Sequence, residues 1–176
     1  MENVLQSVKA VLGTTSSRWQ TLIEMLPSQL IERPTRPGQE SAKDWLRHLL
    51  AAEIYLFPVR VRDFMSGRED FLPIRPDQEY QPNPEPSAIE MAHEFARIRQ
   101  ASLSMLEGVT PGDLERSAVH TELGQVKLGQ LISEWALHDL AHSADAELAL
   151  MQPFIQNAGG WRQYFKKYDV ELAPET

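Results

Sequence analysis

The chain contains no cysteine, and that absence removes thiolate nucleophiles, disulfides, CxxC redox chemistry, iron–sulfur clusters and every cysteine-ligated zinc site. Imidazole, carboxylate and hydroxyl groups are left to carry any chemistry. An excess of positive charge is also lacking: 17 Lys and Arg stand against 25 Asp and Glu, a formal charge of −8 over 176 residues. Nucleic-acid affinity is built on clustered cations, and no basic stripe occurs here, so no nucleic-acid partner is expected. No apolar run approaches the roughly 20 residues a membrane helix needs. The first residues, Met1 to Ser7, show neither a basic n-region nor an apolar stretch of signal length. The expectation is a cytoplasmic protein with no membrane partner. Sustained alternation of apolar and polar residues, the mark of a half-buried strand, is missing too.

Apolar residues instead recur at spacings of three and four, which predicts an all-α fold. At 20.0 kDa the chain reads as a single domain, residues 1–176, large enough to bury a core without structural staples. A short helix is expected over 2–12. Gly13 should stop it, and the hydroxyls of Thr14 to Ser17 should cap a restart running to about Leu26. Ser41 with Asp44 reads as a capping box opening a helix to about Met65, kinked at Pro58. The stretch from Ser66 to Pro86 carries Pro73, Pro76, Pro82, Pro84 and Pro86 and reads as a long ordered loop. Ser87 with Glu90 is a second capping box, opening a helix that Gly108 ends. After an irregular stretch to Gly124, a long helix is expected from Val126 to Met151, with Pro153 as its stop. The tail, with Phe154, Ile155, Trp161, Tyr164 and Phe165, is too apolar for a free end and should pack back as a short helix.

His138 and His142 stand at i and i+4, so their imidazoles project from one helix face, about 6 Å apart at Cβ. That is the spacing at which two histidines can share a metal ion, and equally one that a buried core pair can adopt. His48 lies within another apolar stripe, with Trp45, Leu49, Ala52 and Leu56, on a helix that a bundle would pack against the last one. Three neutral imidazoles facing one another would each need a partner, since an unpaired buried polar group costs on the order of 1–3 kcal/mol. One divalent ion would satisfy all three and leave an open position.

Other candidates read more modestly. Glu53 lies about 140° around the helix from His48 and Asp139 about 100° from His138, so structural hydrogen bonding is expected of both. Asp145 shares the face of His142, as a cavity-lining or solvated carboxylate. Glu134, one turn before His138, could orient an imidazole through its second nitrogen. His93 reads as a surface residue, and His120 is expected away from the site. Trp19, Trp45 and Trp135 read as core. Arg60 and Arg62 could meet an anionic substrate or remain solvated.

Trp45-Leu46-Arg47-His48-Leu49-Leu50-Ala51-Ala52-Glu53 resembles the first motif of the DinB-like superfamily, a helix carrying an HL…E element. The run from Leu128 to His142, ending His138-Asp139-Leu140-Ala141-His142, resembles its second, an HDxxH helix preceded by a glycine turn, here Gly124. The proline-rich loop and third helix fit in order and length, so the similarity covers nearly the whole chain. The resemblance implies a four-helix bundle of up-down-down-up topology. It also implies a divalent metal held by three histidines, here His48, His138 and His142. Zinc or nickel is foremost, and iron or copper is compatible with such ligands. By the same resemblance the chain would be a metal-dependent enzyme acting on a small molecule, either a hydrolase or an S-transferase using a low-molecular-weight thiol, and would pair as a homodimer. The family's name comes from damage inducibility, hence a link to stress response, and implies no DNA binding. No catalytic residue is assigned. The alternative is a non-catalytic bundle for metal binding, sensing or interaction, with structural histidines.

Overall fold

The computed structural model describes residues 2–172. In chain order its helices are α1 (Glu2–Met25), α2 (Ser28–Ile31), α3 (Ala42–Tyr55), α4 (Phe57–Met65), α5 (Pro76–Glu79), α6 (Ala88–Leu106) and α7 (Leu128–Asn157). Three short strands, β1 (Asp70–Phe71), β2 (Ser117–His120) and β3 (Gly124–Lys127), form one small sheet, with β1 parallel to β2 and β2 antiparallel to β3. The long helices α1, α3, α6 and α7 make a four-helix bundle. Val4 and Val8 line one recess with Ser133 and Ala136, and Arg18 pairs with Glu147, so α1 runs parallel to α7. Lys9 pairs with Glu107 and Glu24 with His93, which sets α6 antiparallel to α1. Phe57 stacks on Trp135 and Trp45 on His142, so the α3–α4 arm opposes α7. The order is up-down-down-up.

Local signals explain most helix starts. Both capping boxes form: the Ser41 hydroxyl accepts from the Asp44 amide while the Asp44 carboxylate accepts from the Ser41 amide, and Ser87 and Glu90 repeat the exchange. At Pro58 the helix breaks outright, because the ring sits in the first turn of a new helix, where its missing N–H is not needed. Three further expectations are corrected. The short N-terminal helix and its restart are one helix of 24 residues. Thr14 and Thr15 donate their hydroxyls back to the Val11 carbonyl and Ser16 and Ser17 to that of Gly13, so these groups are satisfied inside the helix instead of capping a new one. Pro153 lies inside α7, which continues to Asn157. The Asn157 side chain donates to the Pro153 carbonyl, and Ile155 is buried. The tail does turn helical, as a 3-10 segment over Gly159–Tyr168, yet Trp161 and Tyr164 stay exposed at 71% and 68%. Hydrogen bonds between the Gln152 side chain and the Tyr168 carbonyl and Val170 amide hold it instead. The sheet itself is too short-stranded to leave a period-2 trace in the sequence.

The core has two apolar halves. One gathers Leu12, Phe57, Phe71, Leu106, Ile132 and Trp135; the other gathers Trp19, Leu46, Leu49, Met91, Phe95 and Ala146. Between them lies Arg99, 1% exposed. Its guanidinium donates to the Leu12 carbonyl at 2.9 Å and to both oxygens of Asp139 at 2.6 and 3.1 Å, and it stands 2.8 Å from the Glu53 carboxylate. Glu53 and Asp139 are each 1% exposed. Burial pushes the Glu53 carboxyl up, with Arg99 pulling against that shift. Removing the cation alone would strand two buried carboxylates, which costs more than the net value of the pairs. Arg99→Met should therefore lose about 3–5 kcal/mol in denaturant unfolding. The triple variant Glu53→Leu, Arg99→Met, Asp139→Leu should recover most of that loss, and equal instability in the two would show that packing, not stranded charge, is at stake.

Candidate metal centre

The antiparallel packing of α3 on α7 brings His48 against His138 and His142. One ring nitrogen from each lies within 4.8 Å of the others, and all three side chains are half-buried. Ring centroids are 5.0 Å apart for His48 and His138, 4.6 Å for His48 and His142, and 4.5 Å for His138 and His142. Trp45 stacks on His142 at 4.6 Å and Phe57 meets His138 edge-on at 5.1 Å, so aromatic walls hold two of the imidazoles in place.

Hydrogen bonds decide which nitrogens face inward. His48 Nδ1 is 2.7 Å from Asp77 Oδ2 and His142 Nδ1 is 3.1 Å from Asp145 Oδ2. A carboxylate behind Nδ1 holds the proton there and leaves Nε2 as a lone pair, the arrangement that orients metal-ligating histidines. His48 Nε2 lies 3.0 Å from His138 Nε2, and His138 Nδ1 is buried with no hydrogen-bond partner among the described residues. Burial, then the neighbouring His142, His48 and Arg99 charges, hold His138 down to about 3; burial first and His48 next also lower His142. Both are thus neutral near pH 7, as ligands must be. Three neutral imidazoles a few ångströms apart, two backed by carboxylates and one left with an orphaned nitrogen, fit a divalent ion. Tetrahedral ligation places ligand nitrogens about 3.3 Å apart, close to the 3.0 Å of the His48–His138 contact.

The remaining sequence candidates separate cleanly. Glu53 and Asp139 turn away to Arg99. Asp145 stands behind His142. Glu134 backs no imidazole and instead lines a cavity of about 520 Å³ together with His120 and Arg60. Arg60 is no free anion anchor: it is 6% exposed, donates to Asp63 and to the Leu72 carbonyl, and lies over the Phe71 ring. Arg62 is exposed. Trp19 and Trp135 are core, whereas Trp45 is half-buried against the histidines. His93 is exposed beside Glu24. Sequence reasoning missed Asp77, which arrives from α5 inside the proline-rich loop and shares no spacing with the residues it supports.

Residues 8–146 match the profile of the DinB superfamily. Among curated proteins none matches the chain by sequence. A solved structure similar to it is YfiT from Bacillus subtilis, described as a probable metal-dependent hydrolase with an unusual four-helix bundle topology. The likeness has a TM-score of 0.66 at 13% identity and covers 82% of this chain and 85% of that one.

Two outcomes are expected. Asp77→Asn should weaken zinc affinity by about 10- to 100-fold in competition titrations with a chromophoric chelator, with little change in unfolding. An unchanged affinity would remove Asp77 from the site. In the metal-free protein, the folded pKa of His138 lies below its unfolded value near 6.5. The unfolded chain therefore binds the extra proton first, and the His138 contribution to stability is lost as pH falls from about 6.5 toward 3. Urea unfolding at stepped pH should show a loss over that window that His138→Gln reduces, the part due to His142 remaining.

Proposed function

The chain belongs to the DinB superfamily, and from that premise we propose that it is a divalent-metal enzyme of the hydrolase type, acting on a small molecule in the cytoplasm with His48, His138 and His142 as ligands. The observation that carries this reading is the convergence of three imidazoles, two of them with Nδ1 held by Asp77 and Asp145. An ion held there supplies Lewis acidity and acidifies water. The protein's own part is to orient and to keep dry. Trp45 and Phe57 wall the rings, the two carboxylates hold the Nδ1 protons, and the nearby Arg99 charge opposes protonation of His138. Three protein ligands leave a coordination position open for substrate. Zinc or nickel suits this donor set, and iron or copper is compatible with it. The same position would serve an S-transferase, which would import its low-molecular-weight thiol because the chain has no cysteine.

A second reading, a non-catalytic bundle with structural histidines, has its own support in the 3.0 Å contact between His48 Nε2 and His138 Nε2, which one shared proton can satisfy without metal. Elemental analysis of tag-free protein purified without chelator separates the two. The proposal expects near one equivalent of metal, absent from His48→Ala, His138→Ala and His142→Ala. It further expects His138→Ala to abolish metal-dependent hydrolysis of a panel of esters and amides with little fall in Tm. No binding even after zinc or nickel is added, or a large fall in Tm with no activity to lose, favours the second reading.

A further inference from the structure

A cavity of about 520 Å³ opens between α4, the small sheet and the first turns of α7. That volume suits a small organic ligand. Its walls are mostly apolar, from Leu56, Phe64, Phe71, Ile74 and Leu131 among others. The charged groups at the cavity largely cancel within the protein. Arg60 is paired with Asp63 at 3.1 Å, and Arg75 with Glu122 at 3.1 Å. His120 is fixed by its Nδ1, which accepts from the amides of Glu122 and Leu123, so Nε2 carries a ring proton and can donate. Glu134 alone has no lysine or arginine in salt-bridge reach among the described residues.

From this balance we propose that the cavity is a binding site for a primary or substituted ammonium with an apolar body, the cation on Glu134 and the body along the Phe64–Leu131 wall. A carboxylate at a largely apolar cavity with no lysine or arginine beside it is a group that a bound cation would pair with; partial desolvation on the cavity side raises the Glu134 carboxyl above its usual range, with His120 pulling against that shift. The formal charge of −8 favours the same sign of ligand at long range. For an anion neither arginine of the lining is free, since both are already engaged by carboxylates. Glu134, His138 and His142 follow one another at intervals of four on α7, so the cation site and the imidazoles lie along a single stripe, about 6 Å per step. That the bound amine is also the substrate rests on the metal-enzyme reading; that it binds does not.

The test is isothermal titration of the chelator-stripped protein with 2-phenylethylammonium and with its near-isostere 3-phenylpropionate. The ammonium should bind at least about tenfold tighter than the carboxylate. Glu134→Gln, on an exposed position and checked for folding by circular dichroism, should cost about tenfold or more for the ammonium. His138→Ala, which disables the metal centre, should leave ammonium binding within about threefold. The proposal is overturned if the carboxylate binds as well as the ammonium, if no saturation is seen up to about 10 mM, or if Glu134→Gln binds like the parent. Because no metal is present, none of these outcomes can be mistaken for failure of the metal-enzyme reading.

Discussion

One guanidinium touches all four long helices. Arg99 belongs to α6, reaches the Leu12 carbonyl of α1, faces Glu53 of α3 and forks onto Asp139 of α7. Two carboxyl groups share one cation in a layer only 1% exposed, and burying charge there is costly unless it is paired. That cost makes the layer selective. Apolar surfaces can slide past one another with small penalties, whereas any register of the four helices that separates Arg99 from either carboxylate leaves a buried charge alone. The apolar halves above and below supply most of the driving force, and the ionic layer dictates how they align.

The alignment has a consequence for the histidines. With Asp139 drawn to Arg99, the adjacent His138 points about 100° around α7, toward α3 and His48, and His142 follows one turn later. Arg99 also adds its positive field to the burial that keeps His138 neutral. The three imidazoles are therefore unequal. His48 and His142 have carboxylates behind them, while His138 has a cation nearby and no acceptor on Nδ1. Asp77 comes from a short helix of the loop that packs against α3, so the loop's placement and the orientation of the His48 ring are one property.

The bundle was readable because its signals are local and repeated: two capping boxes, four amphipathic stretches and an HDxxH helix whose spacing needs no tertiary information. The errors share a cause. Hydroxyls at Thr14 to Ser17 suit a cap or a helix interior alike, and only the continuity of the apolar stripe onto α6 and α7 settles which. Pro153 would end an isolated helix, yet α7 runs on for a turn where Ile155 is buried. Asp77 and the Glu134 cavity depend on contacts between segments tens of residues apart, which no spacing within the chain encodes. The three imidazoles were recoverable since all lie on two long helices; the groups supporting them partly lie on loops.

The break between α3 and α4 joins these features. Pro58 cannot donate to the Ile54 carbonyl, and at Leu56 the backbone is distorted from ideal helix values, with φ at −112° and ψ at −79°. From that point α4 is free to take its own direction. Arg60 then reaches the Leu72 carbonyl and lies over Phe71 of β1, so the helix binds the sheet through a cation while Phe57 packs on Trp135 of α7. The space left open beside the first turns of α7 is the cavity that Glu134 lines. The proline thus acts on the site without touching it: Phe57 beside it still walls His138, and Leu56 before it still lines the cavity. The imidazole cluster and the apolar recess meet at this break because it is where the bundle stops being a bundle.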